Sequence, residues 1–208
     1  MTSAVEAGDG SNGENEIVPQ EIAILRELLG DVEFLPCNQG EGGKGPIIPR
    51  FQDLVPASMT AGHIAQCERP DYRIGFLFGE NSGGLCGLDC DCDAFAVEML
   101  RFNPWLARTL MTTCNRGCTY WLRLTDCWPK KETLYWRGEK VGEWRADGHQ
   151  SVIAGQDTAT KLWRRFIAKT PTMQVPWRVI LWLEEMEFGG EKTRHPWPRQ
   201  WTGSSPFK

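Results

Sequence analysis

The sequence predicts an α+β protein in which helices flank a central, mostly antiparallel sheet. The prediction rests on short segments with one apolar helical face, on short apolar runs typical of strands, and on tight turns between neighbouring runs. No Rossmann-like succession of strands and helices accompanies them. A chain of 208 residues has room for one substantial domain.

Four segments are predicted to be helical. The first collects its isoleucines and leucines on one face and ends at Gly30, which is typical of a helix C-terminus. Asp93 occupies the position of an N-cap residue in front of the third. The predicted helices are residues 19–30, 60–68, 94–102 and 175–188, and the last of them is amphipathic with an acidic end.

Apolar or alternating runs predict the strands. The Asn-Arg-Gly at 115–117 separates two of these runs and predicts a tight hairpin, and the Asp-Gly at 147–148 predicts a second turn. The predicted strands are residues 32–36, 73–79, 83–89, 107–114, 118–124, 139–147, 149–155 and 160–168.

Composition divides the chain into a leader, one domain and a tail. Residues 1–17 are polar and acidic and lack the basic and apolar regions of a signal peptide, so we expect a disordered leader. Residues 18–188 form the predicted domain. Residues 189–208 are basic and rich in Pro and Trp, which predicts a tail or a linker to a further domain.

No segment approaches the ~20 apolar residues of a membrane span. We therefore expect a cytoplasmic protein with no membrane partner, whose eight cysteines are reduced. Cys114 and Cys118 lack a second pair with zinc-ligand spacing, so no structural zinc is expected.

Charge is distributed unevenly along the chain. Residues 1–100 contain 5 Lys or Arg against 17 Asp or Glu, whereas residues 101–208 contain 18 against 10. The second half therefore predicts a basic surface, for which nucleic acid or a nucleoside triphosphate is a candidate partner. Attraction between two halves of opposite charge is the alternative explanation.

Carboxylates alternate with cysteines in LCGLDCDCDAF, at the end of the predicted strand 83–89. Successive side chains of a strand point to opposite faces, so Asp89 and Asp91 share one face while Cys90 and Cys92 point into the core. Two carboxylates repel each other unless a cation binds between them, and Mg²⁺ or Mn²⁺ prefers carboxylate oxygen. The pattern predicts a divalent metal site.

Glu143 is a candidate third ligand. On the predicted strand 139–147 it shares a face with Val141 and Arg145, and Gly142 and Trp144 point the other way. An exposed Glu–Arg pair on a strand surface explains this segment equally well.

In this order the motifs resemble the archaeo-eukaryotic primase superfamily, and more narrowly the primase-polymerase domain at the N-terminus of phage, plasmid and prophage replication proteins. The resemblance rests on RIGFLFGENSGGLCGLDCDCD, TTCNRGCTYWLRL and VGEWRADGHQSVIAG, and it spans residues 33–168. It implies a primase-polymerase fold with an RRM-like catalytic core and an N-terminal α/β subregion. Asp89 and Asp91 match the first motif of the family, and Glu143 matches the acid of its third motif.

The resemblance implies a DNA primase/polymerase that transfers nucleotides from (d)NTPs to a 3′-hydroxyl under the direction of a template, in the replication of a phage or another mobile element. Two Mg²⁺ or Mn²⁺ ions held by Asp89, Asp91 and Glu143 would be its cofactors. The implied partners are a single-stranded DNA template, a primer strand, and a helicase domain or protein.

One motif departs from the family pattern. Thr119 stands where the second motif usually has a His that contacts the phosphates of the incoming nucleotide, and a threonine hydroxyl cannot carry positive charge. Other polar side chains near the motifs are then candidate nucleotide contacts. The candidates beside Thr119 are Arg116, Arg123, Arg145, His149 and Lys44.

Two alternative functions are compatible with the same residues. A metal-dependent glycosyltransferase also uses an Asp-x-Asp to hold a metal with a nucleoside diphosphate, although no Rossmann-like units surround the motif here. A catalytically weakened primase-like module that only binds nucleic acid would account for the missing His. Mn²⁺-dependent dNTP binding, UDP-sugar binding and metal-independent DNA binding distinguish the three functions.

Overall fold

The computed structural model describes residues 20–30, 32–38, 45–54, 60–69, 71–113, 115–126, 130–155 and 164–189. In this part the chain is α+β, with three α-helices and mostly antiparallel sheets, which confirms the predicted fold class. No helix in these ranges is long and apolar enough to cross a membrane. The predicted leader, and the predicted tail after Gly189, lie outside the described residues.

Three of the four predicted helices are present. They are α1 Gln20–Leu29, α2 Ala61–Cys67 and α3 Asp93–Phe102. Thr60 caps α2, because its side chain accepts the backbone N–H of His63. The prediction of Asp93 as the N-cap of α3 is wrong: Cys92 holds that position, and the Asp93 carboxylate accepts the backbone N–H of Gly117 at 2.6 Å.

The described residues contain eleven strands, and each predicted strand corresponds to one of them. The predicted strand 118–124 has the observed bounds, and the ends of the others differ. They are β1 Phe34–Asn38, β2 Tyr72–Leu77, β3 Leu85–Cys90, β4 Met111–Thr113, β5 Cys118–Leu124, β6 Glu132–Trp136, β7 Glu139–Arg145, β8 Gln150–Ala154, β9 Arg165–Ala168, β10 Met173–Val175 and β11 Met186–Phe188. Three strands were not predicted from the sequence: β6, β10 and β11. β6 pairs with β7 across a turn at Arg137 and Gly138.

The strands form two sheets. β1, β2 and β8 make a three-stranded sheet, and the others make an eight-stranded sheet in the order β11-β6-β7-β3-β5-β4-β9, with β10 beside β5. The described pairs are antiparallel apart from β10 with β5. The turn at Asp147 and Gly148 therefore does not close a hairpin. It leads the chain from β7 in the large sheet to β8 in the small one.

The two faces of the large sheet belong to different hydrophobic cores. Leu88 and Trp144 point to the face that is covered by α3 and by the segment 177–188. Leu85 and Trp121 point to the opposite face, which packs against α1 and the three-stranded sheet. The predicted carboxylates lie on this second face, since Asp89 alternates with Leu88 along β3.

Residues 175–188 do not form the predicted amphipathic helix. A 3₁₀ turn at Trp177–Val179 separates β10 from an extended segment that leads to β11. Its buried apolar side chains recur every three residues, and this spacing imitates a helical period. They are Trp177, Ile180, Leu183 and Met186. The Asn103 side chain bonds both the N–H and the C=O of Leu181, so tertiary contacts replace the helical hydrogen bonds there.

Glu33, which lies directly before β1, is buried in an apolar environment. Its side chain has 0% exposure, and neither carboxylate oxygen has a hydrogen-bond partner. Burial raises the pKa of Glu33 from 4.5 to about 7. Between these two pH values the unfolded chain releases a proton that the folded chain retains. The free energy of unfolding therefore falls as the pH rises from 4.5 to about 7, and the loss persists above that range.

Replacing Glu33 by Gln should remove this pH dependence. Near pH 8 we expect Glu33→Gln to unfold with a free energy up to about 3 kcal/mol higher than wild type, because about 1.4 kcal/mol accompanies each unit of pKa shift. Below the pKa that Glu33 has in the unfolded chain, the two proteins should have the same free energy of unfolding. Urea unfolding at both pH values measures the difference. Glu27→Gln, at an exposed position of α1, serves as the control, and equal stability of Glu33→Gln and wild type near pH 8 would contradict the prediction.

Candidate functional site

Three neighbouring strands bring the predicted motif residues together. β3 lies between β7 and β5, and Asp89 is directly opposite Glu143 on one side and directly opposite Thr119 on the other. Residues opposite each other in antiparallel strands point to the same face. The three side chains therefore form a row across the sheet, and Asp91 follows at the end of β3. Asp89, Asp91 and Glu143 are called the acid cluster below.

The row of Glu143, Asp89 and Thr119 borders the hydrophobic core that contains Leu85 and Trp121. Gly87 is opposite Arg145 and precedes Asp89 on the same face of β3. A Cβ atom at Gly87 would come within 3.2 Å of the Phe78 ring, so the glycine lets this aromatic side chain cover the sheet up to the acid cluster. Asp89 is consequently half-buried, with a side chain that is 14% exposed.

Asp89 accepts contacts from both neighbouring strands. The Thr119 hydroxyl donates to Asp89 Oδ1 at 2.5 Å, and the Arg145 guanidinium forms an ion pair with Asp89 Oδ2. Thr119 thus holds the carboxylate in place. Its hydroxyl is directed at a carboxylate here.

Lysines complete the surroundings of the acid cluster. Glu143 pairs with Lys140 at 3.3 Å, with Lys131 at 3.7 Å and with Arg145 at 3.4 Å. Asp91 is more exposed, at 42%, and Lys140 is 4.0 Å from its carboxylate. Three carboxylates therefore face three cations.

The carboxyl groups of the cluster differ in their acidity. Burial raises the pKa of Asp91, and the nearby Asp89 carboxylate raises it further, while Lys140 opposes both. Burial is also the largest influence on Glu143, but Arg145, Lys131 and Lys140 together hold the pKa of Glu143 below its ordinary value. A cation bound between Asp89 and Asp91 would relieve the repulsion that raises the pKa of Asp91.

A cleft of about 400 Å³ opens beside the acid cluster, where the chain crosses from β7 to β8. Its lining mixes basic, polar and apolar residues. Residues lining it include Lys131, Glu143, Arg145, His149, Ser151 and Arg164. Burial and the charge of Lys131 lower the pKa of His149, which favours its neutral imidazole.

Two other predicted nucleotide contacts lie away from the cleft. The Arg123 guanidinium donates to the backbone carbonyls of Leu29, Ser82 and Gly83, so it holds loops together at the far end of β5. Arg123 is not among the residues that line the cleft. Arg116 is exposed on the turn between β4 and β5. Lys44 lies outside the described residues.

The β4–β5 turn is fixed tightly against the end of β3. Gly117 has a φ of +61°, and a Cβ atom there would come within 1.9 Å of the Cys90 carbonyl oxygen. The Asp93 carboxylate accepts the Gly117 N–H. These two contacts of Gly117 fix the pairing of β5 with β3 that places Thr119 beside Asp89. Cys90 is buried on the opposite face, as predicted.

Four neighbours of the predicted site were not predicted from the sequence: Lys131, Lys140, Ser151 and Arg164. Lys131 and Lys140 flank the unpredicted strand β6 and its turn, for which the Arg-Gly pair at 137–138 was an available signal. Ser151 carries no local signal, because it reaches the cleft through the pairing of β8 with β2. Arg164 lies directly before β9, and its backbone N–H donates to the Gly155 carbonyl.

The oxygen donors of the acid cluster fit a hard divalent cation. As the side chains stand, however, no group of three or more His, Cys, Asp or Glu converges on a metal position anywhere in the described ranges. Arg145 pairs with both Asp89 and Glu143 and so lies between the two carboxylates that are opposite each other.

The acid cluster, Thr119 and the cleft make up the candidate site. It combines carboxylates for a cation with basic and polar groups for an anion. Its function has to be inferred from the motifs and from this geometry, because neither a scan against protein-family models nor a search of curated proteins finds a match for the chain.

Proposed function

We propose that this chain is a metal-dependent nucleotidyltransferase of the primase-polymerase type, which joins nucleotides from (d)NTPs to a 3′-hydroxyl on a template strand. The observation on which the proposal depends is that Asp89 and Glu143 lie directly opposite each other on adjacent strands, with Asp91 at the strand end. Acids from two separate motifs thus meet at one point of the sheet.

The chemistry asked of the protein is mainly positioning. Asp89, Asp91 and Glu143 would hold Mg²⁺ or Mn²⁺, which when bound would lower the pKa of the attacking hydroxyl and stabilise the leaving pyrophosphate. Lys131 and Arg145 would bind the phosphate groups of the nucleotide in the cleft. Thr119 would keep the Asp89 carboxylate oriented through its hydrogen bond.

The architecture supports the finer features of the proposal. The antiparallel order β7-β3-β5 with α3 on one face is compatible with an RRM-like catalytic core, and α1, α2 and the three-stranded sheet would be the N-terminal subregion. The proposed partners are a single-stranded DNA template, a primer strand and a helicase domain or protein. A cytoplasmic setting in a bacterium or an infected host belongs to the same proposal.

A templated incorporation assay tests the proposal. Purified protein is incubated with a single-stranded template and labelled dNTP or NTP, with and without a primer, in Mn²⁺ or in chelator. We expect metal-dependent extension by wild type and none by Asp91→Ala, because that variant removes a carboxylate at the exposed end of the cluster. Equal incorporation by both proteins would contradict the assignment.

A nucleic-acid-binding module without transferase activity is the second candidate. It is favoured by Thr119 in the second motif and by the three cations that already neutralise the acid cluster. DNA binding that is indifferent to metal, together with no incorporation, would establish this function instead. Metal-dependent binding of a UDP-sugar, measured by calorimetric titration, would indicate a glycosyltransferase.

A further inference from the structure

Arg145 connects the acid cluster to the cleft. One side of its guanidinium pairs with Asp89, and its Nε atom is 3.4 Å from Glu143. Its Nη1 atom donates to Ser151 Oγ at 2.6 Å, and Ser151 lines the cleft. The side chain is 24% exposed, which makes it less exposed than Lys131 at 34% and Lys140 at 48%. Arg145 is therefore the least exposed of the three cations that neutralise the cluster.

The position of Arg145 conflicts with a divalent cation bound by the same two carboxylates. The guanidinium is planar and pairs with Asp89 and Glu143 at once, whereas a lysine is a point charge on a flexible chain. A cation held by both carboxylates needs the space and the lone pairs that Arg145 occupies. Its bond to Ser151 gives the displaced guanidinium a second anchor on the cleft side.

We propose that Arg145 is a counter-ion that a divalent cation displaces from Asp89 and Glu143, and that the released guanidinium then binds the phosphate groups of the nucleoside triphosphate. This inference rests on the proposed function. It goes beyond that function because it makes one side chain alternate between the metal site and the substrate site.

Coupling between the two ligands follows from this exchange. Without metal, Arg145 is held by carboxylates and contributes little to anion binding in the cleft. With metal, the same charge becomes available to the triphosphate. Coupling free energy is reciprocal, so the triphosphate should also favour binding of the metal.

The variant Arg145→Gln tests the exchange through binding and without an activity readout. We expect Mn²⁺ alone, titrated calorimetrically, to bind about tenfold more tightly than to wild type, because the competing charge is absent. A non-hydrolysable nucleoside triphosphate at saturating Mn²⁺ should bind about tenfold more weakly, because it loses one charge-assisted contact. A purely structural ion pair would not shift the two affinities in opposite directions.

Arg101→Gln is the matched control. Arg101 also pairs with a carboxylate, Glu98, at 2.7 Å, but it is exposed on α3, which covers the other face of the sheet. Both affinities should stay at wild-type values in this variant. Arg145→Lys provides a second measurement if Arg145→Gln does not fold. Because lysine keeps the charge but lacks the planar guanidinium with which Arg145 pairs with Asp89 and Glu143, about a threefold tighter binding of Mn²⁺ is expected.

The outcomes separate the inference from the proposed function. If wild type binds Mn²⁺ and the Arg145 variants bind it equally or less tightly, the exchange is overturned. The transferase proposal is then unaffected. Triphosphate affinity that is unchanged in Arg145→Gln also overturns the exchange. Wild type that binds no Mn²⁺ at all overturns both proposals.

Discussion

Asp89→Asn should lower metal-dependent nucleotide incorporation by about a thousandfold, which corresponds to about 4 kcal/mol of transition-state stabilisation. The carboxylate is the central member of the acid cluster, since it lies opposite both Glu143 and Thr119. Asparagine keeps the shape of the side chain and an oxygen that can accept the Thr119 hydroxyl. It removes the charge that a divalent cation requires. Steady-state incorporation by both proteins at several Mn²⁺ concentrations measures the effect.

Two controls separate this loss of activity from a loss of fold. Asp89→Asn forfeits one half-buried ion pair, so we expect a stability change of only about 1 kcal/mol by urea unfolding. Asp71→Asn removes a carboxylate from the exposed Arg69–Asp71 pair, far from the cluster along the chain, and should leave incorporation unchanged. Activity of Asp89→Asn within tenfold of wild type would exclude Asp89 as a metal ligand.

Local patterns in the sequence were enough to predict the elements of the candidate site. The alternation in LCGLDCDCD predicted which side chains of β3 share a face, and Cys90 is buried as expected. The Asn-Arg-Gly turn predicted the β4–β5 hairpin, and the hairpin register places Thr119 beside Asp89. Such predictions succeed because strand alternation and turn geometry depend on a few neighbouring residues.

The sequence predictions that failed depend on contacts between residues far apart in sequence, which local patterns do not encode. Buried side chains spaced by three residues in 177–186 imitate a helix, yet the segment contains a 3₁₀ turn and is bound by Asn103 and by strand pairing. The cleft depends on β8 joining the other sheet, which no local pattern at Asp147 and Gly148 distinguishes from a hairpin.

Val141 shows how a local irregularity changes the face on which a residue lies. Alternation predicted that it shares a face with Glu143, but it is 5% exposed in the core that also contains Trp144. The register between β6 and β7 shifts at this point: Leu134 is opposite Gly142 and Tyr135 is opposite Lys140. The extra residue on β7 is a β-bulge, which turns Val141 inward and leaves Glu143 on the site face.

Gly142, next to this bulge, should tolerate substitution poorly. A Cβ atom at Gly142 would lie 2.1 Å from the Asp89 carbonyl oxygen, which is a backbone atom and cannot rotate away. Gly142→Ala must therefore move β7 away from β3 at the pair that carries Asp89 and Glu143. We expect the free energy of unfolding to fall by about 3 kcal/mol, and incorporation by the folded fraction to fall about a hundredfold.

The loss of incorporation by Gly142→Ala would show that the distance between β3 and β7 sets the geometry of the acid cluster. Urea unfolding measures the stability, and incorporation and Mn²⁺ titration are carried out where the variant is fully folded. Gly62→Ala is the control, because its Cβ atom would meet only the Thr60 hydroxyl oxygen at 3.6 Å on the exposed side of α2. Alanine favours a helix, so this control should gain about 0.5 kcal/mol. If Gly142→Ala loses stability but keeps wild-type Mn²⁺ affinity, then Asp89 and Glu143 do not act on the same ion.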